Sequence, residues 1–176
     1  NIITKSGDEK KSYLATEYGD YALLNSNFAV NLPIGKSYHN LSFSDLYSSG
    51  YQTNTDFLKR TFYYKYSLQD GKSSTNFSFG YMNRGNGITN HFSTIYKNQY
   101  ESNTTKFFNS KINWNFEKIK LESNMHWFDH IDEFAYDRNI GGWDNYYNSE
   151  IGVDFISIGA VTKDIRSIDL SLRFAS

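Results

Sequence analysis

The sequence predicts an all-β protein: an antiparallel, up-and-down sheet of about nine strands that forms a segment of a transmembrane β-barrel. Three observations predict this. Apolar and polar residues alternate with period two in one segment after another. Short turns alternate with long irregular stretches between those segments. Aromatic residues make up 18% of the 176-residue chain, with 15 Tyr and 14 Phe, where an ordinary soluble domain is rich in Leu and Ala.

The elements follow in chain order. A first strand is expected around 12–18. Next, Leu24, Phe28, Val30 and Leu32 oppose Asn25, Asn27 and Asn31, and a further strand is expected around 38–46. Phe62, Tyr64, Tyr66 and Leu68 oppose Tyr63, Lys65, Ser67 and Gln69. Phe77, Phe79 and Tyr81 oppose Asn76, Ser78 and Gly80. Phe108, Ile112, Trp114 and Phe116 oppose Asn109, Lys111, Asn113 and Asn115. Ile119, Leu121, Met125 and Trp127 oppose Lys120, Glu122, Asn124 and His126. A strand around 147–158 precedes the last one, where Ile168, Leu170, Leu172 and Phe174 oppose Asp169, Ser171 and Arg173. Successive side chains of a strand point to opposite faces, so each segment is a two-faced strand.

Alternation does not say which face meets water, because a soluble sandwich and a membrane barrel share the pattern. Connection length, strand length and aromatic placement favour the barrel. Pro33–Lys36, Asp70–Gly71, Glu117–Lys118 and Lys163–Asp164 have the composition of tight turns, while Tyr47–Leu58, Arg84–Thr104 and His130–Tyr146 read as long loops. This puts short turns on one rim and long loops on the other, as in outer-membrane barrels. Several segments run about 10 residues or more, enough to cross a membrane at a tilt and longer than the usual soluble strand of about 5–6. Trp114 and Phe116 at a turn end, Trp127 near a loop end, and Tyr13, Tyr18 and Tyr21 around the first hairpin suit interfacial girdles. A small complete outer-membrane barrel (adhesin or structural protein) and a soluble carbohydrate-binding β-sandwich are the alternatives. The sandwich predicts two layers, with Phe62, Phe79, Trp114 and Leu170 buried together.

Composition narrows the function. A net charge of -1 offers no basic excess for nucleic acid. With no cysteine there is no thiol nucleophile and no thiolate metal site. No GxSxG and no P-loop is present, so no enzyme is expected. A barrel hydrolase would need a Ser–His contact on the long-loop rim, with His39, His91, His126 and His130 as the available histidines. Gly85-Asn86-Gly87 reads as a loop turn, not a phosphate cradle.

Four motifs carry a family resemblance. Asn1-Ile2-Ile3-Thr4-Lys5 resembles the segment that ends the plug domain of TonB-dependent outer-membrane receptors and leads into their first barrel strand. Ser49–Phe57 (SGYQTNTDF) resembles a stretch of the second extracellular loop in cobalamin-receptor-like members. Asn98–Thr105 (NQYESNTT) is similar to another of their stretches, with Lys97 where proline is common. Trp127–Phe134 (WFDHIDEF), followed by Asp137-Arg138, is similar to a strand and loop of that family. The motifs stand in family order over roughly residues 1–145.

The resemblance implies a barrel of about 22 strands around a plug. Residues 1–5 would be the remnant of the last plug strand, 6–11 a hinge, and 12–176 the N-terminal part of the barrel. It implies uptake of a scarce metal chelate, cobalamin or a ferric siderophore, across the outer membrane of a Gram-negative bacterium. The implied partners are outer-membrane lipid, the TonB complex acting through the missing plug, the chelate itself and a surface lipoprotein.

Candidate ligand-binding residues are the loop aromatics Tyr47, Tyr51, Phe92, Tyr96, Tyr100, Trp143, Tyr146 and Tyr147, whose rings could cover a large ligand's apolar faces. Some cobalamin receptors bind calcium through loop aspartates, which makes Asp129, Asp132, Asp137 and Asp144 the candidate calcium ligands; calcium needs several such oxygens to converge. His126 and His130 share a strand face about 13 Å apart, too far for one zinc ion. Ile2 and Ile3 are expected to be poorly buried in this chain.

Overall fold

A computed structural model of the chain describes residues 12–89, 95–115, 119–140, 146–162 and 165–172; for 119, 146–162 and 165–172 it describes the backbone alone. The plug-remnant and hinge residues, with Ile2 and Ile3, lie outside the described residues. Every regular element described is a strand: β1 Tyr13–Gly19, β2 Leu23–Ile34, β3 Ser37–Ser48, β4 Phe57–Asp70, β5 Ser73–Ile88, β6 Gln99–Asn115, β7 Ile119–Ala135, β8 Tyr146–Thr162 and β9 Ile165–Leu172. Spatial order equals chain order, and each strand is antiparallel to the next. The sheet is open among the described residues, since β1 pairs with β2 and β9 with β8 but not with each other.

The two tight turns predicted within the described residues are present. β2 ends at Ile34 and β3 begins at Ser37, with Gly35 at φ 59° between them. β4 ends at Asp70 and β5 begins at Ser73, with Gly71 at φ 33°. Glycine suits both turns because it enters the left-handed region without a Cβ penalty. Lys36 and Asp70 tie these neighbouring turns with an exposed ion pair of 2.6 Å. The Glu117–Lys118 and Lys163–Asp164 turns fall outside the described residues.

The opposite rim corrects the sequence reading: strands run further into it than alternation suggested. β5 continues to Ile88, β6 starts at Gln99 and β7 reaches Ala135. Gly85-Asn86-Gly87 is therefore strand, not turn. Trp127 sits mid-strand in β7, not near a loop end. Above the apolar part of the wall, polar residues or glycines occur on both faces of these strands and mix with single apolar ones such as Ile88, Tyr100, Ile131 and Phe134, so period two carries little hydropathy contrast there.

Register sorts the residues into two faces, because directly opposed residues of an antiparallel pair point the same way. One face carries a mainly apolar band over four alternating positions on each of six strands: 28–34 on β2, 37–43 on β3, 62–68 on β4, 75–81 on β5, 108–114 on β6 and 121–127 on β7, interrupted by Ser37, His39, Thr75, Ser110 and Ser123. A polar residue follows each run toward the long-loop rim: Ser26, Asp45, Arg60, Asn83, Lys106 and Asp129. Rings pack along this face, with Phe62–Phe79, Tyr66–Phe77 and Phe77–Phe108 at centroid distances of 6.1, 5.8 and 6.3 Å.

The other face is a ladder of polar side chains. Asn40 Nδ2 donates to Asn31 Oδ1 at 2.5 Å, Asn109 Nδ2 to Ser78 Oγ at 3.3 Å and Asn113 Nδ2 to Ser74 Oγ at 3.1 Å. Lys111 pairs with Glu122 at 3.0 Å.

Neither face has a covering layer among the described residues. The buried apolar residues are Ala29 and Ala135, both small. Ile34 is 60% exposed, Phe43 43%, Trp114 40% and Phe79 37%, all on the apolar face. The sandwich expectation of Phe62, Phe79 and Trp114 in one two-layered core is not met: Phe62 and Phe79 are neighbours on one open face, and Trp114 stands exposed at its edge. Leu170 belongs to β9, whose side chains lie outside the description.

Candidate functional site

The long-loop rim is where three of the four motifs meet. Asn54, at φ 58°, is the hub. Its Nδ2 donates to Ile88 O at 2.9 Å and Gln99 O at 2.8 Å, carbonyls at the facing ends of β5 and β6. Thr89 Oγ1 donates back to Thr53 O at 2.8 Å, and Gly87 N to Asp56 O at 2.8 Å. A side chain at position 87 would collide with the Asn54 carbonyl, so glycine there lets the 49–56 loop lie against β5.

Arg138 closes the knot from the far side. Its Nη1 donates to Asp56 Oδ1 at 2.6 Å and Asn54 Oδ1 at 3.3 Å. Its guanidinium lies 4.1 Å from the centroid of the Tyr100 ring, a cation–π contact. Its backbone N–H donates to Asn98 O at 2.9 Å. Asn54 and Asp56 belong to the SGYQTNTDF stretch, Gln99 and Tyr100 to NQYESNTT, and Arg138 to the Asp-Arg pair after WFDHIDEF. Residues up to 84 positions apart are thereby tied across four strand ends. A second anchor fixes the start of the 49–56 loop: Tyr21 O, in the β1–β2 turn, accepts from Ser49 N at 2.8 Å, Ser49 Oγ at 2.7 Å and Ser48 Oγ at 3.1 Å.

The predicted aromatics fall into separate groups. Tyr51 and Tyr96 are on loops, as expected. Tyr51 packs edge-on against Tyr21 at 6.4 Å, and Tyr96 against Tyr136 at 5.8 Å. Tyr47 and Tyr100 are corrected to the wall: Tyr47 lies in β3 and Tyr100 in β6, both on the face that carries the apolar band. Tyr100 sits beneath Arg138, its hydroxyl over Gly85. Tyr146 and Tyr147 open β8 instead of ending a loop. Phe92 and Trp143 lie outside the described residues. No single aromatic cage gathers Tyr47, Tyr51, Tyr96 and Tyr100. Tyr21 and Tyr136 complete the two loop pairs; Tyr136 was open to prediction from its place in the 130–146 stretch.

The aspartates do not converge either. Asp129 and Asp132 lie within β7, not on a loop, and three residues apart they face opposite sides. Asp129 pairs with Lys106 at 3.0 Å on the apolar-band face. Asp132 accepts a short hydrogen bond from Asn103 Nδ2 on the polar face. Asp137 accepts from Asn98 Nδ2 at 3.4 Å and from its own loop at Asn139 N, 2.9 Å. Asp144 is outside the described residues. Among those described, no three His, Asp or Glu side chains group as metal ligands.

His126 and His130 do share the polar face, bonded to Asn109 and to Thr105 Oγ1 at 2.8 Å. A Ser–His contact also occurs, Ser37 Oγ to His39 Nε2 at 3.2 Å, but beside the short-turn rim, and His39 Nδ1 is engaged by Tyr64 OH at 2.8 Å. That position does not fit the rim hydrolase arrangement.

The polar face carries a shallow cleft of about 280 Å³ across β4–β7, lined by Lys65, Asn76, Ser78, Asn109, Lys111 and His126 among others. Its donors, acceptors and cations can hold a polar surface by hydrogen bonds. Sequence reasoning gave the polar character of this wall but not the cleft, which depends on side chains from four strands. No protein-family model, no curated protein and no solved structure matches the chain.

Proposed function

We propose that the chain forms part of the barrel wall of a TonB-dependent outer-membrane receptor, one that takes up a scarce metal chelate such as cobalamin or a ferric siderophore. The observation that carries this reading is the uncovered apolar band on one face of a single up-and-down sheet. In water such a face is an aggregation surface; against lipid it is the outer wall of a barrel. Polar residues on the opposite face suit a wall that surrounds a hydrated plug. The loop asymmetry supports the same orientation, with the tied 49–56 and 136–140 segments on the outer rim.

The knot around Asn54 and Arg138 gives the motif resemblance a physical role. It holds the outer loops in place above the wall, so that loop aromatics such as Tyr51 and Tyr96 meet a ligand from a fixed platform. The test is uptake. Deleting the gene in its native host should abolish energy-dependent accumulation of labelled cobalamin or of a labelled ferric siderophore, and the protein should fractionate with the outer membrane. Unchanged uptake of both ligand classes would remove the transport reading. Recovery of the protein in the soluble fraction would remove the barrel as well.

A further inference from the structure

Four charged side chains stand at the long-loop margin of the apolar band, on a face that also carries Asp70 at its short-turn end and Glu133 farther toward the long loops. Arg60 Nε pairs with Asp45 Oδ1 at 3.0 Å, and Lys106 Nζ with Asp129 Oδ2 at 3.0 Å. Between them, Asn83 Nδ2 donates to Thr104 Oγ1 at 3.0 Å. These residues form one polar belt across β3–β7, directly above Phe43, Phe62, Tyr81, Phe108 and Trp127.

Within each pair the cation is the outer member. The Arg60 side chain is 56% exposed against 25% for Asp45, and Lys106 38% against 16% for Asp129. Asp45 engages Arg60 through Nε, so both terminal guanidinium nitrogens have no partner among the described residues. Asp129 takes one of the three donors of Lys106. In each pair the cation is thus the more exposed member and keeps unused N–H donors, while its carboxylate is the less exposed one.

The height of the belt follows from the band beneath it. A seven-residue run covers about 20 Å of strand, and less height once tilted, against the about 25 Å of a barrel's apolar zone. The next row of side chains is thus drawn to the level of the lipid headgroups, where long basic side chains keep their charge in the polar layer.

We infer that this belt is a binding site for phosphate-bearing lipid headgroups, with Arg60 and Lys106 as the phosphate donors and Asp45 and Asp129 as residues that position them. The inference rests on the membrane reading of the apolar face. The guanidinium fork suits a phosphate and the ammonium adds a point charge. The two cations lie two strands and one row apart, about 12 Å, so one large headgroup or two adjacent ones can engage both.

Native mass spectrometry of the full-length protein in neutral detergent tests the site. The probes are phosphatidylglycerol and monogalactosyldiacylglycerol with matched acyl chains. The phosphate lipid should be retained about tenfold more than the galactolipid, a preference of about 1.4 kcal/mol. The R60Q/K106Q variant should bring the two lipids to parity, while K65Q/K111Q, a charge-matched change on the polar face, should leave the preference intact. Equal retention of both lipids by the unaltered protein would overturn the headgroup site and leave the membrane reading standing. A preference that survives R60Q/K106Q would overturn it in the same way. A protein that retains neither lipid and stays monodisperse without detergent would overturn both.

Discussion

The two faces of the sheet are made from the same strands yet solve opposite problems. On one, Phe62, Tyr64 and Tyr66 alternate along β4 and meet Tyr81, Phe79 and Phe77 of β5. On the other, Tyr63, Lys65 and Ser67 of the same strand meet Gly80, Ser78 and Asn76. The polar face satisfies itself through side-chain hydrogen bonds between strands. The apolar face gains from ring contacts but remains open outward, and nothing among the described residues covers it. The barrel wall proposed above would give the two faces different surroundings, lipid outside and a hydrated interior.

Paired substitutions at adjacent positions break this comparison most sharply. Phe79→Lys, in the middle of the apolar band, should cost about 2–4 kcal/mol in denaturant unfolding from bilayers. Ser78→Lys, one residue away on the polar face, should stay within about 0.5 kcal/mol. Equal costs would mean that the two faces share one environment.

A smaller effect probes a close ring contact on the polar face. A side chain at position 80 would run into the Phe107 ring, which reaches across the glycine to within 6.2 Å of the Tyr63 ring. Gly80→Val should therefore destabilise by about 1–3 kcal/mol through overpacking. Arg138→Ala removes an ion pair about one-third exposed on each side and one cation–π contact, together worth about 1 kcal/mol. Its signature should be local: faster hydrogen exchange in 53–56 and 136–140, with the mid-strand amides of β4 and β5 unchanged. The smallest change is expected for Lys36→Ala, since the Lys36–Asp70 pair is exposed on both sides and tied only to turns. That variant should unfold within about 0.5 kcal/mol of the parent, and less at high salt.

The same contrast decides what the sequence reveals. Inside the band, alternation is strong, and the cores of β2, β4, β5, β6 and β7 are legible from residues such as Phe62–Leu68 and Leu121–Trp127. The expected strands around 12–18 and 38–46 are also present, as β1 and β3. From the belt outward, 83–88 and 99–104 are mostly polar residues and glycine on both faces, so the strand ends look like loop. The rim knot is illegible for a different reason. Asn54 and Arg138 meet across 84 residues, and no local pattern encodes a contact of that span. The aspartates looked like a cluster because 129, 132 and 137 are close in sequence. A strand sends 129 and 132 to opposite faces, and each already has a partner.

The most direct test uses the absence of cysteine from these 176 residues, so that, once any cysteine elsewhere in the protein is replaced, an introduced thiol is the sole labelling site. Phe79→Cys and Ser78→Cys variants of the full-length protein, labelled with bimane and placed in bilayers containing brominated acyl chains, report the surroundings of each face separately. The account predicts strong quenching at position 79 and little at 78. Equal quenching at both positions, or none at 79, would contradict the assignment of the apolar face to lipid.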